Sequence, residues 1–299
     1  MLPTKNGVGP SCISLPAGAW PTLLDFLVER FPHIERDEII ARMQRGEVVD
    51  STGVTVLPER VYQARQKLFY YRNIEDEPRI PFDEVVLFQD DTIIAVDKPH
   101  FLPMSPTGRY LQETLLVRLK RKLGIDTLAP MHRLDRETAG VVLFTVQPQL
   151  RDQYAALFRR RAVQKQYQAI APWRADLPFP ITHRSRMVAG DHFMQMREAA
   201  GPDDVYPTNS ETRIELLEVK DHLARYRLMP ATGKKHQLRI HMAALGIPIL
   251  YDQIYPQPVS YDDRDYTKPL QLLAESIQFR DPLTGQERRF ESRRSLLAL

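Results

Sequence analysis

The sequence predicts an α+β fold, with a mixed, largely antiparallel sheet in a large C-terminal domain and a small N-terminal module of helices and strands. The chain has 299 residues, which at about 100–200 residues per domain gives two domains. Residues Val163–Ile170 alternate with period two, placing Lys165, Tyr167 and Ala169 on one face of a strand and Gln164, Gln166 and Gln168 on the other. Further strands are expected at 212–218 and 223–229.

Residues 1–18 read as an irregular N-terminal arm. Trp20-Pro21 then opens a helix with Leu23, Phe26, Leu27 and Phe31 at helical spacing. A second helix is predicted from Glu35 to Arg45, with Ile39, Ile40 and Met43 inward and Gly46 placed to end it. Val48-Val49 and Val54–Val56, around Asp50–Gly53, read as a hairpin. This module, 19–72, exposes Arg36, Arg42 and Arg45. Its run LLDFLVERFPHIERDEIIARMQRGEVV resembles the small αL RNA-binding domain named for a ribosomal small-subunit protein.

The polar, proline-containing segment 73–82 is predicted to be a linker, and the second domain to run from 83 to 299. Strands are expected at Glu84–Phe88 and Thr92–Val96. Leu115, Leu119 and Leu123 then share one helical stripe, with Arg118, Lys120, Arg121 and Lys122 over the remaining surface. A polar segment, MHRLDRETAG, delivers the chain into the apolar strand Gly140–Thr145. A helix follows Pro148, burying Leu150, Tyr154, Leu157 and Phe158 and ending in Arg159-Arg160-Arg161. After the strands already described come a helix from Lys234 to Leu245 and a last strand near 272–279.

Composition narrows the function classes. Charged residues are 26% and hydrophobic residues 43%, close to globular averages, so wholesale disorder is not expected. The net charge of +3 decides nothing about nucleic acid, because local clustering matters more. A single cysteine rules out an intrachain disulfide, and no Cys/His group has zinc spacing. No segment resembles a signal peptide or approaches the ~20 apolar residues of a membrane span, so a cytoplasmic protein without a membrane partner is expected.

Two segments are dense in chemistry. His132-Arg133-Leu134-Asp135-Arg136 sets a carboxylate between two guanidinium groups just before a buried strand, where sites often lie and where an aspartate also caps or pairs locally. Thr232-Gly233-Lys234-Lys235-His236-Gln237-Leu238-Arg239-Ile240-His241 brings cations to the start of a helix, as an anion site would. There His236 and Arg239, three apart, are expected to be helical neighbours.

MHRLDRETAG is similar to the HRLD-x-x-T-[SA]-G signature of RNA pseudouridine synthases of the RluA type. QKQYQAI resembles their K-x-Y-x-A strand, and TGKKHQLRIHMAALGIPI their TGR-x-HQ-[IL]-R-x-H-x-x-x-x-G-x-P segment, in the same order. The resemblance covers roughly residues 84–280, including Val96-Asp97-Lys98-Pro99 at the entry. It implies a pseudouridine-synthase catalytic domain that isomerises uridine in structured RNA, ribosomal RNA preferred and transfer RNA possible, with no cofactor and no obligate protein partner.

The reaction breaks the bond between nitrogen and the anomeric carbon, turns the uracil and joins its carbon 5 to the same sugar carbon, without redox change. By the resemblance Asp135 starts it, as nucleophile or as base at the sugar 2′ position, and Arg239 aims the carboxylate and favours its charged form. Tyr167 would stack on the uracil and assist loss of the carbon 5 proton, and Arg133 would enter the helix stack when the nucleotide is flipped out. His132, Lys165, Thr232, Lys234, Lys235, His236 and the Arg159, Arg160 and Arg161 cluster are expected to contact RNA. Departures lie at Tyr251-Asp252, Leu273-Ala274 and Lys234, and the stretches 184–210 and 255–268 are where an RNA-reading surface can vary. The competing reading is a non-catalytic RNA-binding or RNA-folding protein on the same fold. A hydrolase using Asp135 lacks a water-activating partner or a phosphate-binding glycine loop.

Overall fold

The structure is a computed structural model that describes residues 2–74, 76–190, 195–200, 206–259 and 265–299. Parts of both variable stretches, 191–194, 201–205 and 260–264, therefore lie outside the described residues. In chain order the elements are β1 (Ser11–Ser14), α1 (Leu23–Arg30), α2 (Arg36–Gln44), β2 (Val48–Asp50), β3 (Lys67–Tyr70), β4 (Val85–Gln89), β5 (Ile93–Lys98), α3 (Leu115–Leu123), β6 (Ala129–Pro130), β7 (Ala139–Thr145) and α4 (Arg151–Arg159). They continue with β8 (Val163–Pro172), β9 (Ile181–Ser185), β10 (Met187–Ala189), β11 (Met196–Glu198), β12 (Ser210–Lys220), β13 (Leu223–Pro230), α5 (Gln237–Ala244), β14 (Leu272–Arg280) and β15 (Glu287–Glu291). No helix among the described residues is long and apolar enough to cross a membrane.

Two compact units result, Met1–Arg79 with Ser105–Asp126, and Ile80–Met104 with Thr127–Leu299. In the first, Thr22 caps α1 by accepting from the Asp25 amide at 3.2 Å. Leu23, Leu24, Phe26 and Leu27 of α1 pack with Ile39 and Met43 of α2 against Leu15, Val48, Val56 and Leu68. The expected hairpin is present, with the Val56 amide donating to the Val48 carbonyl and the Asp50 amide to the Val54 carbonyl, both at 2.9 Å, and its first strand also joins a three-stranded sheet of order β1-β3-β2. Val49 and Thr55 form an antiparallel bridge between those bonds, and Val48 to Asp50 also pair with Leu68 to Tyr70. The segment read as an irregular arm thus supplies an edge strand. Residues 105–126 join this unit because Glu77 accepts from the amides of Leu111, Gln112 and Glu113 at 2.6–2.7 Å. Leu111 and Val117 also pack on Val8 and Ile74.

The second unit is built on a ten-stranded mixed sheet with the path β4-β5-β7-β14-β8-β13-β12-β9, to which β15 adds beside β14 and β6 beside β7. Every pairing is antiparallel except β7 with β14. At that parallel junction the chain needs glycine. Gly140 has φ +113°, and a Cβ there would stand 2.2 Å from the Ala274 carbonyl oxygen. The junction fixes where the loop preceding β7 emerges, and that loop carries Asp135. One sheet face is sealed by α5 over Ala169, Tyr226, Leu228 and Leu272. The α5 sequence is not amphipathic because Gln237, Leu238, Arg239, Ile240, His241 and Met242 are all buried.

Candidate active site

The Asp135 loop is held from below by a lysine. Lys98 ends β5, is fully buried, and its ammonium donates to the carbonyls of Pro99, Leu102 and Arg136 at 2.9–3.0 Å. Burial lowers its pKa to about 7, against the raising influence of the Glu137 and Asp135 charges. The Thr138 amide donates to the Asp135 carbonyl at 3.2 Å, closing the turn. Leu134 and Thr138 are buried, Arg133 is exposed, and the Asp135 side chain is 28% exposed, open enough to meet a substrate.

α5 brings the opposite charge. Its start is drawn onto β12 by Gln237, whose Oε1 accepts from Thr232 Oγ1 (2.7 Å) and the Lys234 amide (3.1 Å). The Gln237 Nε2 donates to the Glu211 carbonyl and Thr212 Oγ1, both at 3.0 Å. The helix therefore begins at Gln237 rather than Lys234. His236 stands before it in the left-handed region, φ +59°, so His236 and Arg239 are not neighbours on a helix face as expected. They converge nonetheless: Arg239 Nη1 lies 3.5 Å from Asp135 Oδ2 and His236 Nε2 lies 3.9 Å from Asp135 Oδ1.

Arg239 is itself clamped. Its Nε and Nη2 each donate to Asp252 at 2.7 Å, a bidentate pair whose two side chains are both 1% exposed. Asp252 is anchored in turn by the amides of Ile254 (2.8 Å) and Tyr255 (3.0 Å). Burial alone would lower the guanidinium pKa, but the hydrogen bonds and charge of Asp252, with Asp135 and Glu137 beyond, raise it above its ordinary value. The third nitrogen, Nη1, is left facing Asp135, with Glu137 Oε2 farther off at 4.0 Å. Tyr255 closes the group: its hydroxyl shares a 2.9 Å hydrogen bond with His236 Nδ1 and accepts from the Met196 amide at 3.0 Å. Burial lowers the His236 imidazole, opposed by the Asp135 charge.

On the neighbouring strand β8, Tyr167 packs half-buried against the α5-covered core. Burial and then the Asp135 charge push its phenol above the ordinary range, so it is a neutral phenol at physiological pH. A carboxylate aimed by a locked guanidinium, with a neutral aromatic face beside it, suits chemistry on an aromatic base.

The family model for RNA pseudouridylate synthase matches residues 92–244, a span that contains Asp135, Tyr167 and Arg239. An RNA pseudouridine synthase of Synechocystis, itself uncharacterized, is 32% identical over 78% of this chain and 79% of its own length. The chain belongs to the RNA pseudouridylate synthase family. It is an RNA isomerase, and the non-catalytic reading falls away. Among other relatives in the family, the dual-specificity RNA pseudouridine synthase RluA of Haemophilus influenzae is 30% identical over 70% of this chain and 92% of its own length. The tRNA pseudouridine synthase C of Vibrio cholerae is 29% identical over 67% and 87%. The solved human RNA pseudouridylate synthase domain containing 1 superposes with a TM-score of 0.58 at 20% identity, over 73% of this chain and 86% of that one, which shows the shared α+β fold.

Within this synthase, the other residues expected to touch RNA divide by exposure. Lys234, Lys235, Arg159, Arg160 and Arg161 are exposed, with Arg159 paired to Asp152 at 2.7 Å. Three are engaged internally. His132 Nε2 accepts from the Leu143 amide at 3.2 Å, and its ring stacks on Phe158 at 4.9 Å. Burial, then the Lys165 charge, lowers the His132 pKa to about 3, so the ring is neutral. Lys165 Nζ donates to the Thr232 carbonyl at 2.8 Å, and burial lowers its pKa to about 8. Thr232 Oγ1 also accepts from the Glu211 amide at 3.0 Å. Sequence reasoning missed Asp252, Lys98 and Tyr255. Lys98 carried a signal, a cation at the end of the otherwise apolar run Ile93–Val96.

Proposed function

We propose that Asp135 starts the isomerisation of uridine in ribosomal or transfer RNA, with Arg239 as the group that aims it and Tyr167 as the surface on which the uracil stacks. The observation that carries this reading is the Asp252–Arg239–Asp135 chain, in which a bidentate buried pair leaves one guanidinium nitrogen for the reacting carboxylate. Attack on the anomeric carbon and removal of the sugar 2′ proton both need an ionised carboxylate held in place. The raised phenol makes Tyr167 a stacking platform and hydrogen-bond donor ahead of a proton acceptor. Arg133 fills the gap that a flipped nucleotide leaves, a role supported by its exposure two residues from Asp135.

Arg159, Arg160, Arg161, Lys234 and Lys235 supply phosphate contacts, and His236 meets the nucleotide beside Asp135. The N-terminal module (19–72), with its likeness to αL RNA-binding domains, supplies further RNA affinity to the catalytic domain (83–299). The enzyme acts in the cytoplasm without an obligate protein partner. Ribosomal RNA is the preferred substrate because of that module. Transfer RNA is the second reading, favoured by the relative named as a tRNA pseudouridine synthase. Incubating the enzyme, without cofactor, with tRNA and rRNA transcripts tritiated at uracil carbon 5 separates them, because isomerisation releases that tritium. Release from rRNA alone supports the preferred substrate, release from tRNA alone replaces it, and silence on both with binding intact overturns the substrate class.

A further inference from the structure

Away from Asp135, three side chains that are far apart in sequence meet between β9, β11 and α5. They are His183, Glu198 and His241, and their potential ligand atoms all lie within 4.8 Å of one another. His183 Nε2 stands 2.8 Å from Glu198 Oε1, and His241 Nε2 stands 4.0 Å from the same oxygen. The two imidazole rings are 4.7 Å apart, centre to centre. Around a tetrahedral zinc ion with bonds of about 2.0–2.1 Å, neighbouring ligand atoms sit about 3.4 Å apart, a value between the two measured separations. We propose that His183, Glu198 and His241 form a binding site for a divalent transition-metal ion, zinc in the first instance, that is separate from the isomerase chemistry.

The surroundings are those of a ligand set. His241 is fully buried, and its Nδ1 is held by Thr212 Oγ1 at 2.9 Å, the outer partner that sets ring orientation in metal-bound histidines. That turns Nε2 into the cluster, where it shares hydrogen bonds with Ser185 Oγ (3.1 Å) and Ser210 Oγ (3.0 Å) that a bound ion would displace. His183 and Glu198 are 19% and 25% exposed, so the cluster reaches the surface on that side. Binding replaces the His183–Glu198 hydrogen bond with two metal bonds, and the imidazole proton moves to Nδ1 or to solvent. Two nitrogens and one carboxylate favour zinc over magnesium, which takes oxygen ligands. The two histidines are separated by 58 positions, so no spacing rule reveals them. An ion here would tie β11 to α5, which carries Arg239, and β11 also carries the Met196 amide that holds Tyr255.

The test is zinc titration of the tag-free, chelator-treated full chain, followed by calorimetry and by the melting temperature. The wild type is expected to bind one equivalent and to melt higher with zinc. His183→Gln and Glu198→Gln, at partly exposed positions, are each expected to weaken binding at least about tenfold and to remove the zinc-dependent rise. Thr212→Val, which keeps all three ligands, is expected to weaken it less. Magnesium in excess is expected to leave zinc binding unchanged. No zinc uptake by the wild type overturns the site. So does uptake that both ligand variants retain at full affinity.

Discussion

Arg239 and the Arg159–Arg161 cluster carry the same guanidinium group in opposite settings. Arg239 is 1% exposed and locked by two 2.7 Å bonds to Asp252. Arg159 is 58% exposed and pairs with an Asp152 that is 85% exposed. A charge of the first kind acts through its position, since its partner is desolvated and a displacement of about 1 Å can cost 10²-fold in rate. A charge of the second kind acts through its number, by releasing counterions from phosphates, and its ion pair contributes little to stability. Losing Arg239 should therefore change the chemical step, whereas losing the cluster should change the encounter with RNA.

The largest effect is expected from Arg239→Met, which leaves Asp252 buried and unpaired. Single-turnover rates should fall by about 10²–10³-fold, and chemical denaturation should show a loss of about 3–5 kcal/mol. Retained rate and stability would make Arg239 an ordinary core residue. Asp252→Asn keeps shape but loosens the clamp, so kcat should drop by roughly 10–10²-fold with KM within a few-fold. A change in KM alone would mean that Asp252 contacts RNA instead. Replacing Arg159, Arg160 and Arg161 together by Gln should raise KM several-fold and reduce the slope of log affinity against log salt by roughly 2–3, with kcat unchanged. An unaltered slope would remove the cluster from the RNA surface.

A separate effect, read without RNA, lies in stability against pH. Burial, as the largest cause, lowers His100 to about 4, His132 to about 3 and His241 to about 4. Between those values and the ordinary 6.5 the unfolded chain binds more protons than the folded one, so folding stability falls as pH drops through this window. Above 6.5 these rings impose no penalty, and below about 3 it is complete. Melting temperatures measured from pH 7 to 4 should decline, and His132→Gln should flatten the decline. A flat wild-type profile would show that these rings are not held neutral.

Long periodic elements were legible in the sequence, and elements defined by distant partners were not. α3 lies at 115–123 as its leucine stripe indicates, because the stripe and Gly124 act locally. β1 and β3 escaped notice because SCIS and KLFY are too short to show a period, and each is a strand only through the other. The same holds for the two-stranded β10-β11 sheet. At the site, Asp135, Tyr167 and Arg239 stand in dense local motifs. Asp252 does its work 13 residues from Arg239, and Lys98 acts on a carbonyl 38 residues away, so neither announces itself by spacing. The 73–82 segment read as a linker misled for a related reason, since Glu77 grips residues 111–113. Removing residues 1–72 would therefore uncover Leu111 and Val117, and charge substitutions on α3 are the cleaner probe of RNA affinity in this unit.

The central claim is that the Asp135 carboxylate, aimed by Arg239, performs the isomerisation. It is tested most directly by comparing wild type and Asp135→Asn in single-turnover tritium release from carbon 5-labelled RNA, with RNA affinity measured on the same preparations. The expected result is a loss of at least about 10³-fold in release with affinity within a few-fold, since the amide keeps the shape and lacks the charge. Release within a few-fold of wild type would contradict the claim and move the chemistry to another residue.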